Sequence, residues 1–191
     1  MALEIEMKYT AVESAFEELL AESDQWTQYE MATTYYDTPE GYLGKLRWTL
    51  RRRFENGVSV CTVKTPAGAI GRNEFELECD DILEAIPLLC AMGAPQELLN
   101  LTADGVEEVC SARFTRLAAR IVLDGAEAEL ALDKGELMGG GKVLPFVEVE
   151  VELKSGDMYA VTAYASALAD RVGLYPESRS KYKRARTLAG K

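Results

Sequence analysis

Much of the chain alternates polar and apolar residues with period two, the spacing of a strand that shows one face to a core. LEIEMKY (3–9) sets Glu4, Glu6 and Lys8 against Leu3, Ile5, Met7 and Tyr9. EMATTYYDT (30–38) is a Thr- and Tyr-rich strand ended by Asp37 and Pro39. KLRWTLRRRF (45–54) runs to Asn56-Gly57, a hairpin turn, and returns as VSVCTVK (58–64). RNEFELEC (72–79) follows a Pro/Gly loop. VEEVCSARFTRLAARIVL (106–123) reads as two strands or one long bent one, and Asp124-Gly125 turns it into AEAELALD (126–133). KVLPFVEVEVELK (142–154) alternates strictly. Helical spacing marks 11–23, a stretch of roughly 80–100 that Pro87 and Pro95 limit to short pieces, 157–173 up to Gly173, and the tail from 178. The pattern predicts one α+β domain over residues 1–191, with about eight antiparallel strands and peripheral helices.

Composition narrows the class. With 191 residues and 48% hydrophobic content the chain can bury a core. No apolar run approaches the roughly 20 residues of a membrane helix. The N-terminus turns acidic within four residues and has no apolar signal core, so a cytoplasmic protein with no membrane partner is expected. Cys61, Cys79, Cys90 and Cys110 form no CxxC pair and are expected as reduced thiols. Histidine is absent, which excludes a Ser-His-Asp triad, a His-ligated zinc and an imidazole base. A net charge of −11 argues against a nucleic-acid partner. A small-molecule ligand and a monomer or homodimer are expected. Two basic islands, 47–54 and 178–186, stand out from this acidic background.

The charges segregate by strand. Arg51 and Arg53 share one face of their strand, and Lys64 follows on the next. Arg72, Glu74, Glu76 and Glu78 share a face, as do Glu127 and Glu129, and Glu148, Glu150, Glu152 and Lys154. One reading is a solvated sheet face. The sharper reading is a sheet closed into a barrel, with charges lining the lumen and apolar faces packed under outer helices. Such a lumen needs counter-charges. A chain of phosphates with a divalent cation supplies both signs: Arg suits phosphate, and oxygen ligands suit Mg²⁺ or Mn²⁺.

EIEMK (4–8) matches an ExExK signature, and LRRR (50–53), TVK (62–64), RNEFE (72–76), LDKG (132–135), FVEVE (146–150) and SKY (180–182) follow in order. On these motifs, from residue 4 to 182, the chain resembles the CYTH superfamily, the triphosphate tunnel metalloenzymes. The resemblance implies a closed eight-stranded antiparallel β-barrel that binds a triphosphate and Mg²⁺ or Mn²⁺. It implies metal ligands at Glu4, Glu6, Glu148 and Glu150, with Glu76 and Asp133 near a second metal. It implies phosphate contacts at Lys8, Arg51, Arg53, Lys64, Arg72 and Lys181, and at Arg113 or Arg116, between which the spacing does not choose. Glu4, Glu6, Lys8, Glu76 and Asp133 form the expected catalytic set. The segment RFTRLAARIVLDGAEAELALDKGEL (113–137) resembles most the bacterial inorganic triphosphatases. The expected reaction is metal-dependent hydrolysis of inorganic triphosphate to diphosphate and phosphate. The alternatives are a class IV-type adenylate cyclase, a nucleoside or thiamine triphosphatase, and a polyphosphate-binding module without turnover. The number of carboxylates favours an enzyme, because a pure polyanion binder has no use for them.

Overall fold

The computed structural model describes the backbone of residues 2–68 and 71–190, and the side chains of these residues from Ile5 onward. In chain order the elements are β1 (Ala2–Glu4), β2 (Glu6–Thr10), α1 (Ala15–Leu19), β3 (Thr27–Asp37), α2 (Tyr42–Lys45), β4 (Thr49–Glu55), β5 (Val58–Ala67), β6 (Gly71–Glu78), α3 (Ile82–Ala91), α4 (Glu97–Leu101), β7 (Glu107–Leu123), β8 (Ala126–Gly139), β9 (Lys142–Gly156), α5 (Met158–Val172), β10 (Tyr175–Pro176) and α6 (Lys181–Leu188). The α+β expectation holds, and the strands form one antiparallel sheet in the order β1-β6-β5-β4-β3-β7-β8-β9-β2-β10.

The expected closed eight-stranded barrel needs correction. The sheet has ten strands, and no ladder closes its order into a ring among the described residues. Its ends are linked by the chain instead. β1 and β2 are separated by Ile5 alone; β1 pairs with β6, and β2 pairs with β9. The stagger of the sheet explains the split, because β6 overlaps the start of this segment and β9 its end. Leu153 N–H donates to the Ile5 carbonyl at 2.9 Å, across the break.

Local chemistry sets the turns. Asn56 and Gly57 both have positive φ, 46° and 94°, as a two-residue hairpin of this twist requires. The Asn56 side chain also fastens the turn to β3, accepting from Glu30 N–H at 2.9 Å and donating to the Gln28 carbonyl at 3.2 Å. The segment 107–123 is one long strand. Pro87 does not end its helix: α3 passes through it, because Pro87 lies on the exposed side, where water can take the carbonyl that the ring leaves unbonded.

Apolar side chains pack outside the curled sheet, under the helices. Leu130, Leu132, Val149 and Val151 meet α1 and α5 through Leu19, Val161 and Leu168. Leu50, Cys61, Val63 and Phe75 meet α3 and α4 through Ile86, Leu89 and Leu98. Met31, Tyr35, Phe114 and Phe146 instead share the inward face with Arg51, Arg116 and Glu150, and meet α6 there at Tyr182 and Ala185. All four cysteines are free thiols. No helix among the described residues is long and apolar enough to cross a membrane.

Candidate active site

The opposite, polar face of the sheet curls round a cavity of about 1180 Å³. Period two brings its lining together: Glu6 and Lys8 from β2, Arg51 and Arg53 from β4, Lys64 from β5, Arg72 and Glu76 from β6, Arg116 from β7, Glu150 from β9, and Lys181 from α6. The repeated i, i+2 charges therefore face one space, as the lumen reading requires.

The acidic wall is built in rows by strand register. Glu6 lies opposite Glu152, and Glu152 opposite Glu129, so three carboxylates that line the cavity run across β2, β9 and β8. Like charges placed opposite one another repel. Lys154 Nζ offsets part of this, 2.8 Å from Glu152 Oε2 and 3.5 Å from Glu129 Oε1. Lys8 Nζ lies 2.7 Å from Glu6 Oε1 and belongs to the next row, opposite Glu150.

Below these rows Asp133 and Glu148 oppose each other, fully buried. Oxygens of Asp133, Glu148 and Glu150 lie within 4.8 Å of one another, an arrangement able to hold a cation. Side-chain cations already pair with them. Lys181 Nζ is 2.8 Å from Asp133 Oδ2, 2.8 Å from Glu150 Oε1, and bonded to Glu148. Arg116 grips Asp133 with two bonds of 2.7 Å and also reaches Glu150, while Arg184 bonds Glu148. Phe114 and Phe146 flank Lys181, their ring centroids 5.2 and 5.4 Å from Nζ. Burial dominates the titration of Glu148 and, with Glu150 nearby, pushes it up to about 7 against the pull of Lys181. Burial acts the same way on Glu150, but Lys181, Arg116 and Lys8 together hold its carboxyl well below the usual range.

The basic wall spans β4, β5 and β6. Glu74 Oε1 sits between Arg51 Nη2 at 3.3 Å and Lys64 Nζ at 3.2 Å. Despite burial, these cations lower the Glu74 pKa. Burial, then the neighbouring Arg51, lowers that of Arg53. Arg53 Nε lies 2.9 Å from Glu55 Oε2, while the buried Thr62 hydroxyl finds no hydrogen-bond partner among the described residues. A buried donor rarely stays unsatisfied, and beside a wall this basic its natural acceptor is an anion.

Several expectations change at this level. Arg116 faces the cavity, and Arg113 does not: it is exposed on the other face of β7, three residues away and therefore of opposite parity. Asp133 and Glu148 lie beneath the cavity in ion pairs rather than on its surface. Glu76 lines the cavity but is exposed. Glu4 pairs through its backbone with Arg72, and its side chain lies outside the described residues. Glu74, Glu129 and Glu152 were visible as period-two charges but were not assigned to the site. Arg184 was missed; it sits three residues after Lys181, on the same helix face, and that spacing was the available signal.

The CYTH domain family model matches residues 2–185. The inorganic triphosphatase of Haemophilus influenzae is 28% identical over 165 residues, covering 84% of this chain and 46% of that protein. The chain thus spans about half the length of this curated relative. Among solved structures, the PH1819 protein of Pyrococcus horikoshii OT3 aligns with a TM-score of 0.66 at 24% identity, covering 98% of this chain and 99% of that one. HpAC1 from Hippeastrum, described as an adenylyl cyclase candidate with a dominant triphosphatase activity, aligns with a TM-score of 0.66 at 20% identity over 98% of this chain and 96% of that one. These two likenesses concern the fold. With a family model that covers nearly the whole chain, and a cavity assembled from the motifs that carried the resemblance, the chain belongs to the CYTH domain family.

Proposed function

We infer that the chain hydrolyses inorganic triphosphate to diphosphate and phosphate with the help of Mg²⁺ or Mn²⁺. The observation that carries this reading is the division of one cavity into a basic wall and an acidic wall. The acidic wall offers only oxygen donors, which suits a small hard cation. Glu6 and Glu150 would hold it, with Glu152 adjacent. Glu148 and Asp133 would act below as supports, because both are fully buried beneath the cavity surface, paired with Lys181, Arg184 and Arg116. When bound, the cation neutralises phosphate charge and makes the reacting phosphorus more electrophilic.

The chain's own residues do the rest. Lys8, Arg51, Arg53, Lys64 and Arg72 grip the phosphate oxygens and hold the anion in line. Lys181 and Arg116 keep Glu150 ionised and fixed. Glu76, on the cavity wall, orients the water that attacks the terminal phosphorus. The bond from that phosphorus to the bridging oxygen then breaks, and diphosphate leaves. The guanidinium groups stabilise the charge that grows on the leaving oxygen.

A nucleoside or thiamine group would need a surface to stack on. Trp26 packs against the core under α1 and α5, and its indole N–H donates to the Leu20 carbonyl at 3.1 Å. Trp48 touches the cavity but is only 8% exposed, packed among Leu50 and Val63. Inorganic triphosphate should therefore beat ATP in kcat/KM by about 10- to 150-fold, the scale of one charge-assisted contact. The test is phosphate release from tripolyphosphate, ATP, GTP and thiamine triphosphate with each metal, plus a cyclic AMP readout. Faster turnover of ATP or thiamine triphosphate would overturn the substrate assignment. Cyclic AMP and diphosphate from ATP would make the protein a cyclase.

A further inference from the structure

Arg47 holds a backbone conformation that its residue type does not favour. Its φ is +60°, in the left-handed region, where Asn56 is the other non-glycine residue among those described. The cause is local. α2 ends in a Schellman motif: Trp48 N–H donates to the Leu43 carbonyl at 2.8 Å, and Arg47 N–H to the Gly44 carbonyl at 3.0 Å. The residue between helix and strand in such a motif is ordinarily glycine, which carries no Cβ penalty. Nothing in the backbone here calls for arginine.

The loop is also rigid. The buried Asp37 carboxylate accepts from Leu43 N–H at 2.9 Å and Gly44 N–H at 3.1 Å, and lies 3.3 Å from Arg186 Nη1. A Cβ on Gly44 would meet that guanidinium at 1.4 Å, so α2 is seated tightly on α6. The Arg47 carbonyl accepts from Arg72 Nη2 at 2.9 Å, which places the two arginines together. The Arg47 side chain is exposed, lines the cavity, and has no ion-pair partner among the described residues. An arginine whose backbone is fixed and strained, and whose charge has no partner, stands beside a phosphate-gripping arginine and is placed for an anion, since strain of this kind persists where surroundings over-determine it and gathers at functional sites.

We propose that Arg47 is a rim contact that captures the outermost phosphate of the substrate anion, beside Arg72. This rests on the triphosphatase reading of the cavity. It sets Arg47 apart from the deeper cations because it acts on capture and not on the reacting phosphorus.

Arg47→Gly tests it cleanly, because glycine suits φ +60° and leaves the fold at least as stable. Its melting temperature should match or exceed the wild type. KM for tripolyphosphate should rise about 3- to 10-fold with kcat within about twofold, as befits an exposed charge contact. Calorimetric titration with tripolyphosphate in EDTA should show a Kd weakened by a similar factor, independent of turnover. Arg47→Lys should recover most of the affinity. Equal KM and equal Kd in wild type and Arg47→Gly would overturn the proposal while leaving the triphosphatase reading intact. A wild type that binds tripolyphosphate without hydrolysing it would end that reading, and the Kd comparison would still decide the role of Arg47. A wild type that neither binds nor hydrolyses it would end both.

Discussion

Replacing Lys181 with methionine should lower the melting temperature by about 6–20 °C. Lys181 is the cation shared by Asp133, Glu148 and Glu150, and Asp133 and Glu148 have no exposed surface. Methionine fills similar space but leaves three carboxylates against Arg116 and Arg184. Removing one partner of a buried pair costs about 3–5 kcal/mol. In a chain of this size each kcal/mol is worth roughly 2–4 °C. The loss should depend on pH in a defined direction. Glu148 already titrates near 7, above its unfolded value, and losing Lys181 raises it further. A carboxyl whose folded pKa is raised destabilises the fold where it is ionised in both states, and the penalty fades as pH falls through the folded pKa. Thermal melts at pH 8 and pH 5.5 should therefore show a larger gap from wild type at pH 8. An unchanged melting temperature at both would contradict the role assigned to Lys181.

Glu6→Gln should reduce triphosphate turnover by about 100-fold or more while the fold survives. The substitution keeps volume and removes one charged oxygen from the acidic wall, and loss of one preorganised group at a reaction centre is worth about this much. Glu6 opposes Glu152 across the β2–β9 ladder, so neutralising it relieves repulsion. Glu150→Gln should cost as much activity but is the poorer probe. Unpaired carboxylates on facing strands would repel one another. Glu150 instead bonds Lys181 and Arg116, so its loss also loosens the buried network. Circular dichroism melts beside the kinetics separate the two effects. Turnover within a few-fold of wild type in Glu6→Gln would remove this residue from the metal-binding wall.

What the sequence revealed, and what it hid, follows from periodicity. Charges at i, i+2 declare a shared face whatever the tertiary structure, so Lys8, Arg53, Lys64 and Glu150 were legible as lumen residues before any fold was known. Depth was not legible. Glu148 and Glu150 have the same spacing and residue type, yet one lies under α6 and the other on the cavity wall, and only the docking of that helix tells them apart. Parity would have favoured either Arg113 or Arg116 once a register was fixed, but the long strand β7 offered no internal marker of which face turned inward. That the ladder stays open was hidden, because it depends on the stagger of β1 and β2 against two partners distant in sequence. Arg47 escaped notice because left-handed backbone at an arginine has no signature in residue type.

The proposed reaction is hydrolysis of triphosphate between the acidic and basic walls of this cavity, with a divalent cation. Phosphate release from tripolyphosphate tests it most directly, measured for the wild type with Mg²⁺ or Mn²⁺, then in excess EDTA, beside Glu6→Gln. Turnover with metal that disappears in EDTA and collapses in Glu6→Gln is the predicted result; full activity in EDTA, or no phosphate release under any of these conditions, would contradict it.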